Sequence, residues 1–262
     1  MLASTARPLS LWRDVICPKE HGSWSLAGEP IALALPVAPS APGALLGLAL
    51  VAGFFARRPL RAVAIERRPE RRPAAWRAVG LCVGGAVAAL GAAVVLVGAN
   101  WLMWLVPAAL AGAAFAWCDA RGAGRAELAE LAGATAFALT PIAIAVLGGW
   151  TPAAAVALSV VMVGRAAPSV ATVRAFIRAA KTGARHDAFP LGASLGALLA
   201  ATWLATAGWA PRFAAVALGL FALRSFALLV LFRPAWRART LGMFEAAAGV
   251  LFILGLAATW PV

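Results

Sequence analysis

Charge is scarce in this 262-residue chain: Asp, Glu, Lys and Arg make up 13% of it against 63% hydrophobic residues, and tyrosine is absent altogether. An ordinary soluble domain carries about twice that share of charge, so a soluble enzyme is excluded. The apolar runs are continuous rather than alternating, which excludes a membrane β-barrel, whose strands alternate lipid-facing and lumen-facing residues. Cysteine is limited to Cys17, Cys82 and Cys118, widely spaced and without a C-x-x-C pair. They read as free thiols, with neither a disulfide framework nor a zinc site. No H-E-x-x-H, P-loop or G-x-S-x-G pattern occurs, so zinc chemistry, ATP hydrolysis and serine hydrolysis lack support. No metal site is expected, and no cofactor is indicated.

Long apolar runs are what the chain has instead. Nine helices of about 20 residues, the length that crosses a hydrocarbon core, use about 180 residues and leave short loops. The expected spans are 24–38, 43–56, 79–99, 101–117, 128–147, 152–173, 189–208, 212–231 and 241–259. The expectation is an all-α, polytopic transmembrane bundle forming a single domain over 1–262. The first two spans are short, so they are either tilted or a re-entrant pair.

Basic residues outnumber acidic ones 23 to 10, for a net charge of +13. Along a nine-span path every Lys and Arg except Arg212 falls on one side. The positive-inside rule then places the N-terminus in the cytoplasm and the C-terminus outside. The cytoplasmic segments are 1–23 and the basic loops 57–77, 118–127, 174–188 and 232–240. This is the pattern of a multi-pass protein of the bacterial inner membrane. The N-terminus shows no small-residue cleavage site, so the first span is read as retained. Anionic headgroups account for the basic rim, so membrane lipids rather than nucleic acid are the expected partners.

Several residues could carry chemistry. Pro18-Lys19-Glu20-His21-Gly22-Ser23-Trp24 gathers an acid, a base, a histidine and a glycine where the chain meets the membrane. His21 can exchange protons or bind an anionic headgroup there; alternatively the segment is an interfacial turn with snorkelling Lys and anchoring Trp. Glu29 lies inside the first span, where a carboxylate is costly unless paired, protonated or facing a polar cavity, and Pro30 beside it allows a local helix break. The loop after the second span holds eight arginines against Glu66 and Glu70. Of these Arg57, Arg58 and Arg61, at the helix end, are placed to grip a phosphorylated or diphosphate group. Glu127 and Glu130 share a helical face, with Arg121 and Arg125 near enough for ion pairing. Arg174, Arg178, Lys181 and Arg185 form one basic stripe on a helix continuing from the sixth span, suited to an anionic ligand or to lipid headgroups. Arg165 lies nine residues before Arg174, about 180° around the helix, so it points elsewhere, toward the bundle interior. Glycine-rich runs such as Gly84-Gly85-Ala86 and Gly192-Ala193-Ser194-Leu195-Gly196 allow close helix packing.

Together Pro18–Trp24, Arg58-Pro59-Leu60, Glu130-Leu131-Ala132-Gly133 and Arg165 through Pro168 to Arg174 resemble the YwiC-like bacterial membrane proteins, a family that brings no settled biochemical role with it. The chain more distantly resembles the UbiA-type intramembrane prenyltransferases. That resemblance implies nine helices with the N-terminus inside, and an active site opening to the cytoplasm between the loops after helices two and six. Arg58-Pro59-Leu60 looks like the R-P-L after their first motif. Their aspartate-rich, magnesium-holding motifs have no counterpart here: the second loop has no Asp and the sixth only Asp187.

Three functions are therefore expected in turn. The first is a cytoplasm-facing cavity that binds an anionic or prenylated amphiphile, extending to a divergent UbiA-like transferase. There Lys19, Glu20, Arg57, Arg58, Arg61, Arg125, Glu130, Arg165, Arg174 and Arg178 contact the ligand, and His21 with Glu29 supplies proton chemistry. The second is a small-molecule or ion transporter with Glu29, Glu130 and Arg165 along its path. The third is a non-catalytic partner of another membrane complex.

Overall fold

In the computed structural model the described residues are 21–65, 72–124, 126–183, 187–231, 236 and 238–260. Among them every regular element is helical: α1 (His21–Val37), α2 (Ala41–Ile65), α3 (Arg72–Val97), a 3-10 turn (Asn100–Leu105) leading into α4 (Val106–Ala120), α5 (Glu127–Leu139), α6 (Pro141–Leu147), α7 (Pro152–Thr182), α8 (Ala188–Thr206), α9 (Arg212–Phe226) closed by a π-helical turn (Ala227–Leu231), and α10 (Ala238–Thr259). Eight helical stretches are long and apolar enough to cross a membrane, α5 and α6 counting as one of them. The chain is thus a multi-pass membrane protein.

α1, the ninth stretch, has 17 residues, about 26 Å at 1.5 Å per residue, somewhat less than a core of about 30 Å. It nevertheless runs the depth of the bundle. Trp24 at its start meets Phe54 and Phe55 late in α2, with ring centroids 5.8 and 5.1 Å away. Its far end lies on the α6–α7 turn, where a Cβ on Gly148 would stand 2.8 Å from the Ala38 carbonyl oxygen. The helix continues through Pro30 and Pro36, so the break expected at Pro30 does not form. What Pro30 does is remove the N–H that would bond the carbonyl of Leu26.

Two other boundaries differ from the hydropathy reading. The apolar run 128–147 is interrupted at Pro141, whose missing N–H and ring start a new helix, and Thr140 turns its hydroxyl back to donate to the Phe137 carbonyl at 2.7 Å. α2 passes its apolar part and carries Arg57, Arg58 and Arg61 on helix as far as Ile65, so the first part of the expected basic loop 57–77 is helical.

α7 is the axis. Thr151 caps its start, accepting from the Ala154 amide, and Gly183 ends it at φ +68°, a conformation that glycine adopts without strain. Successive turns of α7 bury Ala155, Leu158, Val161, Met162, Ala166 and Val170 in a core shared with α1, α6, α8, α9 and α10. Close packing on α8 comes from Gly164, where a Cβ would lie 3.1 Å from Ala197 Cβ. The expected contact glycines behave otherwise: Gly84, Gly85, Gly192 and Gly196 face open space. α3 packs on α2 and exposes Leu81, Val87, Val95 and Leu96, an apolar surface suited to lipid.

One end of the bundle collects the C-terminal ends of α2, α4 and α7 and the starts of α5 and α8, tied by ion pairs among Arg57, Arg61, Asp119, Glu127, Glu130, Arg174, Arg178 and Asp187. The opposite end carries the α6–α7 turn and the end of α10, joined by Trp150 stacked on Trp260 at 6.1 Å. These are the two sets of chain ends that the nine-span path separates.

Candidate functional site

A chain of four charged side chains crosses the interior. Arg165 of α7, at 1% exposure, has its Nε 3.7 Å from Oε2 of Glu29 on α1. Its Nη1 donates to Ser169, one turn on, and to Glu245 Oε2 of α10 at 3.4 Å, and its Nη2 donates to the Glu245 carbonyl oxygen at 3.0 Å. Arg224 of α9 donates to the other Glu245 oxygen and, at 3.1 Å, to Ser225 Oγ. The order Glu29, Arg165, Glu245, Arg224 alternates in sign and sums to zero. Neutrality of this kind is what makes four ionised groups tolerable in a low-dielectric interior.

The surroundings of the chain fit it closely. Ser25, one turn before Glu29, donates to its Oε1 at 2.6 Å. A Cβ on Gly249 would run into the Glu29 carboxylate, so glycine there leaves the carboxylate its place beside Arg165. The Phe221 ring lies 4.2 Å from the Arg165 guanidinium carbon and 5.4 Å from that of Arg224, a cation–π arrangement that offsets part of the lost hydration. Beyond Arg224 a hydroxyl relay continues, with Thr172 donating to Ser225 at 2.9 Å and Ser194 Oγ 3.2 Å from Ser225 Oγ. The Nε atoms of Arg165 and Arg224 are buried without a hydrogen-bond partner.

From this chain a cavity of about 360 Å³ leads toward the basic end, walled by α1, α2, α4, α5, α7 and α10. Its inner end touches Arg165, Ser169 and Glu245; its wall is formed by Phe54, Phe115, Phe137, Val170 and Val173; Arg57, Glu130 and Arg174 lie toward the basic end. Arg174 meets Glu130 at 2.8 Å. Arg57 meets Asp119 at 3.4 Å with its guanidinium 4.4 Å from the Phe115 ring. Gly133 admits that ring, since a Cβ there would lie 3.2 Å from Phe115 Cδ2. The Glu130-Leu131-Ala132-Gly133 run therefore supplies both an ion-pair partner and the space for a wall residue.

The residues singled out from sequence separate accordingly. Arg57, Glu130, Arg165 and Arg174 share the cavity wall, although Arg165 and Arg174 lie on opposite faces of an ideal helix. Glu29 sits behind Arg165 at the inner end. Arg61 turns to Asp119 at 3.7 Å, and Arg58 is not part of the wall. Arg178 holds Glu127 and, at 3.1 Å, Asp187. The expected ion pairing of Glu127 and Glu130 occurs with Arg178 and Arg174 of α7, while Arg121 lies over the Trp117 ring at 3.9 Å. Lys19, Glu20, Arg125 and the side chain of His21 lie outside the described residues.

Sequence reading singled out neither Glu245 nor Arg224, the latter being counted only among the basic residues of the cytoplasmic side. Glu245 carried the same signal as Glu29, a carboxylate within an apolar run.

Fold and interior together define a multi-pass helical membrane protein with a chain of paired acidic and basic side chains in its core and a cavity open toward its arginine-rich end. Residues 17–145 match the family described as YwiC-like protein, which bears out the likeness read from the motifs. The matched stretch contains Glu29, Arg57, Asp119 and Glu130, whereas Arg165, Arg224 and Glu245 follow it. No curated protein and no solved structure matches the chain.

Proposed function

We propose that this protein binds an anionic amphiphile, one carboxylate or phosphate carried on an acyl or prenyl body, in the cavity between α1, α2, α4, α5, α7 and α10. The observation that carries this reading is the lining. Aromatic and aliphatic side chains form the wall, and the charged groups on it are three arginines against two glutamates. Arg57 and Arg174 set guanidinium donors at its basic end for an anionic head group. The volume, about 360 Å³, lies in the range of small-ligand sites, about 300–1,000 Å³. The basic end faces the cytoplasm of a bacterial inner membrane by the positive-inside rule, so the head group is admitted past Arg57 and Arg174.

Binding is favoured over a UbiA-like transfer reaction. The cavity's two carboxylates, Glu130 and Glu245, are each held by arginine, which suits the space to an anion rather than to a magnesium diphosphate. A second reading, transport, is supported by the ionised chain across α1, α7, α9 and α10, because charged residues within spans mark conduction and relay paths.

Photocrosslinking with a diazirine fatty acid tests the proposal. Adducts at Phe54, Phe115 or Phe137 that disappear in Arg57→Ala/Arg174→Ala support it. Adducts confined to outward positions such as Val95 and Leu96, equal in both proteins, contradict it.

A further inference from the structure

The charge count at the inner end of the cavity has a consequence for how an anion is accommodated there. Glu29, Arg165, Glu245 and Arg224 already balance as a set of two acids and two bases, the first three buried and Arg224 nearly so. An anion that reaches Arg165 leaves one uncompensated negative charge in a low-dielectric site, unless a carboxylate of the set takes up a proton.

Two observations single out Glu29 as that carboxylate. Glu245 is gripped from both sides, with one oxygen on Arg165, the other on Arg224, and its carbonyl also accepting from Arg165. Among the described residues Glu29 has a single ionic partner, Arg165 Nε at 3.7 Å, and that nitrogen donates no hydrogen bond. Its other contact is the Ser25 hydroxyl at 2.6 Å, which can turn from donor to acceptor and so suits a protonated carboxyl as well as an ionised one. Ser25 and Arg165 both line the cavity, which gives the carboxyl a route to water. The charged groups facing Glu29 are Arg165 from α7 and Glu245 from α10, with Arg224 of α9 behind Glu245. Among the described residues α2, α5 and α6, which also pack on α1, bring it no ion-pair partner. His21 lies eight residues earlier on α1, about 12 Å along the axis.

We infer that the cavity is a proton-coupled anion site: the head group, admitted at Arg57 and Arg174, comes to rest on Arg165 in place of Glu29, and Glu29 takes one proton from water as it leaves that arginine. No covalent bond is made or broken apart from the O–H formed on Glu29. The inference rests on the anion-binding reading and adds its terminal station and its coupling to pH. By linkage, one proton taken up per anion means that affinity rises about tenfold per unit fall in pH while Glu29 starts ionised.

The test uses N-lauroyltaurine, whose sulfonate keeps its single negative charge across the pH range. Titration calorimetry of the full-length protein in neutral detergent, repeated in buffers of different ionisation enthalpy, counts protons directly. Wild type should take up close to one proton per probe and bind about tenfold more tightly at pH 6 than at pH 7. Glu29→Gln, which keeps size and hydrogen bonding, should take up none and bind with a pH-independent affinity. Binding by wild type with no proton uptake, or uptake that persists in Glu29→Gln, overturns the coupling while leaving the anion site standing. The wild-type count decides alone if Glu29→Gln does not fold. No binding by wild type at any pH overturns both the coupling and the site.

Discussion

Replacing Glu245 by glutamine removes one charge from an interior whose four ionised groups balance. Arg165 and Arg224 then face Glu29 alone, and Arg224 loses its only carboxylate partner among the described residues. Of the contacts to residue 245, the one from Arg165 to its carbonyl oxygen, at 3.0 Å, survives unchanged. Breaking a buried pair by removing one member costs about 3–5 kcal/mol, because the other charge stays behind without compensation. At 1.4 kcal/mol per tenfold, this is on the order of a hundredfold or more in the folded-to-unfolded ratio. Arg224→Leu should cost a similar amount by leaving the negative charge in excess. The double variant Arg224→Leu/Glu245→Gln is neutral again, with Arg165 and Glu29 remaining as a pair. It should return to within about 2 kcal/mol of wild type, far from the sum of the two single losses. Reversible unfolding in mixed micelles, read by tryptophan fluorescence, measures all three. Additive losses in the double variant, or a Glu245→Gln protein as stable as wild type, would refute the charge-balance account of the core.

Two further predictions follow from the same geometry. Gly249→Ala places a methyl group against the Glu29 carboxylate and displaces it from Arg165, so thermal unfolding in detergent should report a loss of about 1–3 kcal/mol, with part of it restored by the shorter side chain of Glu29→Asp; no loss would mean that the Glu29 carboxylate moves aside without cost and is not held in place by Arg165. In a background with Cys17, Cys82 and Cys118 replaced by alanine, a cysteine introduced at the exposed Ala123 of the α4–α5 turn should react with an impermeant maleimide only from the cytoplasmic side, and one at the exposed Ala207 of the α8–α9 turn only from outside; labelling of both from one side would contradict the nine-crossing path.

The spans were legible because a run of about 20 apolar residues has few alternatives once it is too long for a soluble core helix. Their ends were less so. Hydropathy does not register that Pro141 divides one apolar run into α5 and α6, or that a helix continues past the end of its uninterrupted apolar run to carry Arg57 and Arg61. Arg165 is buried in the interior as its depth in the span suggested, but the angular arithmetic that set it apart from Arg174 did not foresee that both line one cavity. Counting basic residues by loop could not separate Arg224 from its neighbours, since a residue just inside a span and one just outside it count alike. The partners of Glu127 and Glu130 were out of reach for a different reason. Arg121 and Arg125 are near in sequence, but Arg174 and Arg178 become neighbours only once α7 packs along α5. The same holds for the glycines, where composition permits close approach and only packing selects Gly164 and Gly249 over Gly84 and Gly192.

The central claim is that a particular anionic amphiphile occupies the cavity, held by arginines on its wall. Native mass spectrometry of the detergent-purified protein, with identification of any lipid released, tests it most directly on wild type and on Arg57→Ala/Arg174→Ala. The account predicts a discrete acyl or prenyl anion bound to wild type and lost from the variant. Bulk phospholipid alone, carried equally by both proteins, would contradict it.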